Sequence, residues 1–490
     1  MPPDEELITA EADRLAATAG QHRAARAFLL SGAAWFFVGT VLGLLSAVQL
    51  SAPDLLANIP FLQFGRLRPA HTNAMLLGFV NTTLLGGGLY IVPVLLRTRL
   101  HSERLGLAAL WLWNLALGCG IIALALGHTQ AREYAELIWP VDVAVVIVFV
   151  LLLYNLVMTV IERKEKLLYV SVWYFVGAVL WTGFVYPIGN VMWHPATGSM
   201  TGVVDAIWLW FYGHNILGLL LTPLAVGAAY YIIPRLVRAP LYSHTLSLVG
   251  FWTFISLYSH IGVHHLIQAP VPLWLKVVSI IDSMAMILPV YTVLINLWMT
   301  MRGRFAAVVN SVPGSLIFLG TIWYAIVCLQ GPFQSLPSVQ RITHFTNWPV
   351  GHAHAAVFGF TGFIALGTYY YVLPRVCGRE LFSWRMANLH YWLAVVGIGG
   401  MFAVLTAAGL VQGSSWLNGE TVYRVLPTLV PYMALRTLFG VMIMIGAFLG
   451  LYNGLMTACR RPPSQGRGVS RPRGHAASAE AAPEKREGGA

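Results

Sequence analysis

Thr346-Asn347-Trp348-Pro349-Val350-Gly351-His352-Ala353-His354 stands at the head of a long apolar run, and its reading decides the fold. His352 and His354 are two residues apart, so on an α-helix they point about 200° from one another. One helix can therefore offer an imidazole to each of two cofactors on its two flanks. Histidine inside a helix surrounded by hydrocarbon is costly and needs a partner.

The surroundings of that helix are set by composition. Of 490 residues, 57% are hydrophobic and only 10% charged. Soluble domains carry about 25% charged residues, so the chain reads as an all-α integral membrane protein. The 17 tryptophans suit interfacial belts. Four scattered cysteines, Cys119, Cys328, Cys377 and Cys459, form no C-x-x-C pair, which excludes a c-type haem, a zinc ribbon and a cysteine-ligated iron–sulfur cluster within this chain. The formal charge of +11 does not imply nucleic-acid binding, because membrane proteins concentrate Lys and Arg in loops and tails.

Apolar runs of spanning length fall at 27–50, 70–96, 105–127, 139–161, 168–190, 203–233, 244–268, 274–301, 309–333, 345–374, 386–411 and 427–457, which predicts twelve transmembrane helices. Residues 1–26 read as a cytoplasmic lead-in, 27–458 as the twelve-helix domain, and 459–490 as a disordered basic tail. Basic residues concentrate after even-numbered spans (Arg97, Arg99 and Arg104; Arg163, Lys164 and Lys166; Arg375, Arg379 and Arg385), which predicts both termini in the cytoplasm. No convincing internal repeat is visible. With that orientation His71, His214, His264, His265, His352 and His354 all fall in the outer half of the membrane, at compatible heights.

His264 and His265 diverge by about 100° on a regular helix, so both reach one metal only where the helix end is loosened, and Gly262 allows that. His214, in Trp210-Phe211-Tyr212-Gly213-His214-Asn215, completes a three-histidine set suited to copper, iron or zinc. Each histidine alone is more often a hydrogen-bonded polar residue at a helix interface; together at one depth they favour a metal site. Tyr258, seven residues before His265, is expected on nearly the same helix face, where its phenol can give a proton and an electron. Arg68, one turn before His71, and Arg436, within the last span, call for anionic partners such as haem propionates. Snorkelling is the plainer reading of Arg68. His128, His194, His260, His344 and His390 read as ordinary polar residues, with His260 able to lend His264 a hydrogen bond.

The segments R-L-R-P-A-H-T-N-A at Arg66–Ala74, W-x-Y-G-H-N at Trp210–Asn215, the Tyr258…His264-His265 spacing and T-N-W-P-V-G-H-A-H resemble the cbb3-type haem-copper oxygen reductases, in their catalytic membrane subunit I. The resemblance runs from the first span to the last and implies a twelve-helix bundle of the haem-copper oxidase subunit I type. It implies His71 and His354 on a low-spin haem b, His352 on a high-spin haem b, and a copper ion held by His214, His264 and His265. Tyr258 would be the active-site tyrosine, tied covalently in that family to the histidine matching His214. Arg68 and Arg436 would be propionate partners. The implied activity is a terminal respiratory oxidase reducing dioxygen to water, in a bacterial inner membrane, with electrons from c-type cytochrome subunits and with membrane lipid around it.

One departure stands out: Gln330-Gly331-Pro332 occupies the place where the family commonly has Glu-Gly-Pro, and an amide cannot titrate. It keeps a nitric oxide reductase of the same superfamily in view. Against that rival, Tyr258 is present, and Gly218, one turn after His214, is not a glutamate. A twelve-span secondary transporter is the remaining alternative, and such folds usually show internal repeats. Thr222, Tyr230, His244 and Ser247 are candidate proton carriers on the inner halves of spans 6 and 7.

Overall fold

A computed structural model describes residues 21–192 and 200–459. His194, nearly all of the amino-terminal lead-in and the tail beyond Cys459 lie outside the described residues. Helices dominate, and no strand occurs among the described residues. We number the long helices α1 (Arg23–Ser51), α2 (Phe64–Leu95), α3 (Glu103–Leu126), α4 (Trp139–Ile161), α5 (Val170–Gly189), α6 (Val203–Val237), α7 (His244–Tyr258), α8 (Leu273–Thr300), α9 (Val312–Gln334), α10 (Asn347–Cys377), α11 (Trp384–Leu417) and α12 (Val422–Cys459). Eleven of these are long and apolar enough to cross a membrane; α7 falls short. The expected span 244–268 is a helix to Tyr258 and then a tight 3₁₀ turn over Ile261–Leu266.

The chain carries a threefold internal repeat that the sequence reading missed. In α3–α4, Asn155 Oδ1 accepts from the Ser102 N–H at 3.0 Å, and its Nδ2 donates to the Ser102 carbonyl at 2.9 Å. Asn296 does the same to Ser243 between α7 and α8, at 2.9 and 2.8 Å, and Asn453 to Ser383 between α11 and α12, at 3.0 and 2.8 Å. In each case a threonine one turn further on (Thr159, Thr300, Thr457) accepts the N–H of the residue before the serine. Each serine also caps its own helix by accepting the N–H three residues ahead. The helix before each cap matches too. Glycine, three residues, tyrosine, two residues and proline recur as Gly86–Tyr90–Pro93, Gly227–Tyr231–Pro234 and Gly367–Tyr371–Pro374.

These glycines have a packing reason. A Cβ at Gly86 would meet Phe28 Cβ at 2.8 Å, at Gly227 Tyr174 Cβ at 3.1 Å, and at Gly367 Ile317 Cγ1 at 2.5 Å. The first helix of each four-helix unit thus closes onto the second, as small residues permit within membranes. The second helices, α2, α6 and α10, are the most buried and pack on one another as an inner ring. Each contains a π-helical stretch directly following or just beyond its histidine: Ala74–Asn81 after His71, Leu217–Leu221 after His214 and Ala355–Gly362 after His354. Such bulges re-aim side chains and gather at functional sites.

Candidate metal and cofactor site

All nine residues singled out from the sequence (His71, His214, His264, His265, His352, His354, Tyr258, Arg68 and Arg436) line one cavity of about 640 Å³ enclosed by the bundle. Both histidines of α10 share it but look to different sides.

His214, His264 and His265 bring one ligand nitrogen each to within 4.8 Å of the others. His214 Nδ1 stands 3.3 Å from His265 Nε2. Nitrogens sharing one ion at about 2.0 Å lie roughly that far apart. His214 Nε2 is buried with no hydrogen-bond partner. His264 Nδ1 contacts Ser283 Oγ at 2.8 Å, and that hydroxyl donates onward to the Ser279 carbonyl. The serine oxygen therefore accepts from His264 Nδ1–H, which leaves the Nε2 lone pair free for a metal. The 3₁₀ turn makes neighbouring histidines converge, and Gln340 Nε2 pins it by donating to the His264 carbonyl at 2.8 Å. Gly262 acts otherwise than expected: it has no unusual backbone conformation, but a Cβ there would collide with the Trp210 carbonyl on α6. Trp210 also stacks on His265, with ring centroids 3.9 Å apart.

Tyr258 does not share a helix face with His265, because α7 ends at Tyr258. Its ring instead lies parallel to His214, centroids 4.6 Å apart and planes 20° apart. Gly218 makes that position available: a Cβ there would overlap Tyr258 Cε1.

On the other flank of α10, His354 faces His71 across 6.3 Å between ring centroids, with planes 22° apart. Two imidazoles bound through Nε2 to opposite sides of one metal need roughly 6 Å between ring centres. His71 Nδ1 meets the Gly39 carbonyl at 2.7 Å and His354 Nδ1 the Val350 carbonyl at 2.8 Å. A carbonyl only accepts, so both Nδ1 atoms carry the hydrogen and both Nε2 atoms keep a lone pair. A Cβ at Gly43 would lie 2.5 Å from His71 Cε1, so α1 leaves a bare surface for that ring. His352 instead faces α9, where a Cβ at Gly331 would lie 3.6 Å from its Cε1. Its Nδ1 meets Gln330 Oε1 at 3.0 Å.

The rim is polar. Arg68 Nη1 lies 3.3 Å from Glu133 Oε1, both half-exposed. Glu133 and Tyr134, from the loop between α3 and α4, line the cavity. Glu136 in the same loop is buried; its Oε2 accepts from Asn73 Nδ2 at 3.1 Å and its Oε1 has no partner. Burial pushes its carboxyl above the usual range. His260 turns to Asp282, 3.3 Å away, so Ser283 and not His260 supports His264. Of the proton-carrier candidates, Thr222 lines the cavity, Tyr230 takes a 3.4 Å hydrogen bond from Asn296, Ser247 donates to the His244 carbonyl at 2.6 Å, and His244 is exposed. Ser283, Gln340, Gly43 and Glu133 were missed from the sequence, since contacts across helices leave no local pattern.

A polytopic helical bundle with three convergent imidazoles on one flank of a buried helix and an opposed imidazole pair on the other has the layout of a membrane metalloprotein, with room for a metal centre on each flank. The family described as Cytochrome C and Quinol oxidase polypeptide I matches residues 23–442, and this chain belongs to it. It is an oxidoreductase subunit of the haem-copper, respiratory type and a multi-pass membrane protein. It is 33% identical over 86% of its length to a Cytochrome c oxidase subunit 1 homolog of Agrobacterium tumefaciens, covering 81% of that protein. It is 32% identical over 91% of its length to the Cbb3-type cytochrome c oxidase subunit CcoN1 of Stutzerimonas stutzeri, covering 97% of it. A haem-copper terminal oxidase dimer superposes with a TM-score of 0.74 at 18% identity, over 89% of this chain and 84% of that one. A nitric oxide reductase chain of Stutzerimonas stutzeri is a more distant relative, 25% identical over 85% of this chain and 91% of that one. The transporter alternative falls to this family match. The absence of a repeat, which the sequence reading set against it, was mistaken.

Proposed function

We propose that this chain is the catalytic subunit of a cbb3-type terminal oxidase, reducing dioxygen to water. The observation that carries the reading is the division of six imidazoles between the two flanks of α10 inside one cavity. His71 and His354 would hold a low-spin haem b, His352 a high-spin haem b, and His214, His264 and His265 a copper ion. When bound, these groups supply electrons to dioxygen in close succession.

The protein's own part is orientation, burial and proton handling. Ser283, Gly39 and Val350 fix the tautomers of His264, His71 and His354, so each presents a lone pair inward without rearrangement. Tyr258 holds a proton on its hydroxyl beside His214 and can yield it with an electron. Arg68 and Arg436, at the cavity wall, would bind propionate carboxylates. Glu133 already pairs with Arg68 and would share it. Without a c-haem motif in this chain, electrons would come from c-type cytochrome subunits. The chain would lie in a bacterial inner membrane, both termini in the cytoplasm.

Gly218 and Tyr258 favour dioxygen over nitric oxide: the phenol fills the space that a side chain at position 218 would need. The test is metal analysis and turnover on the purified complex. Two irons and one copper per subunit, a reduced-minus-oxidised spectrum of b-type haem, and oxygen consumption exceeding nitric oxide consumption are expected. Non-haem iron in place of copper, with nitric oxide as the faster substrate, would overturn the reading.

A further inference from the structure

Away from the histidines, the inner ring is joined through the three repeat-equivalent tyrosines, with Tyr231 between the other two. The rings of Tyr90 and Tyr231 lie 6.5 Å apart at 81°, and those of Tyr231 and Tyr371 6.3 Å apart at 86°, so Tyr231 meets both neighbours edge to face. All three are buried. Cationic groups cap the cluster: the Arg375 guanidinium sits 3.6 Å above the Tyr371 ring centroid and that of Arg235 5.4 Å above Tyr231. Where the first repeat has Val94 in place of an arginine, His22 packs edge-on to Tyr90 at 5.1 Å.

None of the three tyrosines lines the cavity. On α6 the lining residue furthest along toward Tyr231 is Thr222, nine residues away, or roughly 13 Å of helix. On α10 Thr361 precedes Tyr371 by ten residues, roughly 15 Å. A packed stretch therefore separates the cavity from the opposite end of the ring.

We propose that Tyr90, Tyr231 and Tyr371, capped by Arg235 and Arg375, form a proton-tight plug where the three repeats meet. Three helices closing on a common centre leave a gap that water would otherwise enter. Interlocked aromatic edges fill it, and fixed positive charge at the mouth repels a proton approaching through any residual water, as arginines do in water-selective pores. The tyrosine, kept in register across three diverged repeats, is the residue of the motif that reaches the centre; its glycine packs outward and its proline ends the helix. Proton delivery to the cavity is thereby confined to routes within single repeats. This inference needs the family's membrane setting but none of the proposed ligand assignments.

The test is passive proton permeability of the complex reconstituted in phospholipid vesicles, with an internal pH dye and a valinomycin-imposed potassium gradient, without turnover. Tyr231→Ala and Tyr371→Ala are expected to raise the flux severalfold while the haem spectrum stays unchanged. Tyr231→Phe should remain tight, because ring volume and not the hydroxyl makes the seal. The double variant Arg235→Gln/Arg375→Gln keeps the tyrosines and should also leak, which decides the matter if the alanine variants fail to assemble. Vesicles as tight as wild type with every spectrally intact variant would overturn the plug. So would slowed oxygen turnover in Tyr231→Phe, which would make the cluster a conducting wire.

Discussion

At position 218 even one methyl group is too much. A Cβ overlapping Tyr258 Cε1 cannot coexist with the phenol where it stands, so Gly218→Ala must turn the ring away from His214. Overpacking of this kind costs about 1–3 kcal/mol, and the geometry lost is the one placing the proton donor. We expect Gly218→Ala to keep haem absorbance while oxygen turnover falls by at least tenfold; oxygen electrode rates on spectrally intact enzyme check it. Gln330 acts on the other face of the same centre. Its carbonyl oxygen, 3.0 Å from His352 Nδ1, makes the imidazole a better donor, as a neighbouring acceptor does for a metal-bound histidine. Gln330→Leu removes that acceptor and should raise the midpoint potential of the haem on His352, by about 59 mV if ferrous stability improves tenfold; redox titration reads it, and an unmoved midpoint would contradict it. The departure from Glu-Gly-Pro thus bears on the potential of the haem proposed on His352. Glu136 gives a pH prediction. Burial raises its folded pKa above the ordinary value near 4.3, so the folded state binds that proton more tightly than the unfolded chain. Its contribution to stability is full below the unfolded pKa and is lost as pH rises through the folded one. Thermal melts between pH 4.5 and 8 should show a decline that Glu136→Gln flattens. The histidines that line the cavity were legible because charge-capable side chains in apolar runs are rare. Their hydrogen-bond partners were not, since Ser283, Gly39 and Val350 are ordinary residues made important only by what lies opposite.

Among the elements, span positions followed from hydropathy to within a few residues, whereas α7 stopped short, because two adjacent histidines can share an ion only if the helix tightens into a 3₁₀ turn. The repeat escaped notice for a different reason. Each unit keeps a few polar anchors (a capping serine, an asparagine, a threonine, and the Gly–Tyr–Pro register) while apolar positions between them accept almost any hydrophobic residue. Three structurally equal sites then make a controlled comparison. Asn296→Ala leaves the Ser243 N–H without a partner at a helix start, while the Ser243 carbonyl keeps the helical bond from the Ser247 N–H, at a cost of about 1–3 kcal/mol. Asn155→Ala and Asn453→Ala remove the same pair of bonds and should lower the melting temperature by a similar amount. If one of the three proves neutral, its anchor is redundant with the surrounding packing.

For the molecule as a whole, the consequence of setting His352 and His354 on opposite flanks of α10 is that the two imidazole sets should fail independently. His71 rests on α1 through Gly39 and Gly43, and His354 on its own helix through Val350. The triad rests on Ser283 of α8 and on Gln340, ahead of α10. The two sets of supports thus come from different parts of the bundle. His71→Ala should therefore abolish the low-spin signature while leaving the copper count near wild type. His265→Ala should empty the copper position, because two nitrogens remain where three converged, while the low-spin bands of the His71–His354 pair persist. Both variants should lose oxygen turnover, since the proposed reaction needs both sets loaded. Metal counts and low-temperature spectra of the same preparations separate these outcomes: loss of both signatures in either variant, from a protein that still folds and inserts, would mean that the two flanks of α10 are one cooperative site and that the division of imidazoles has been misread.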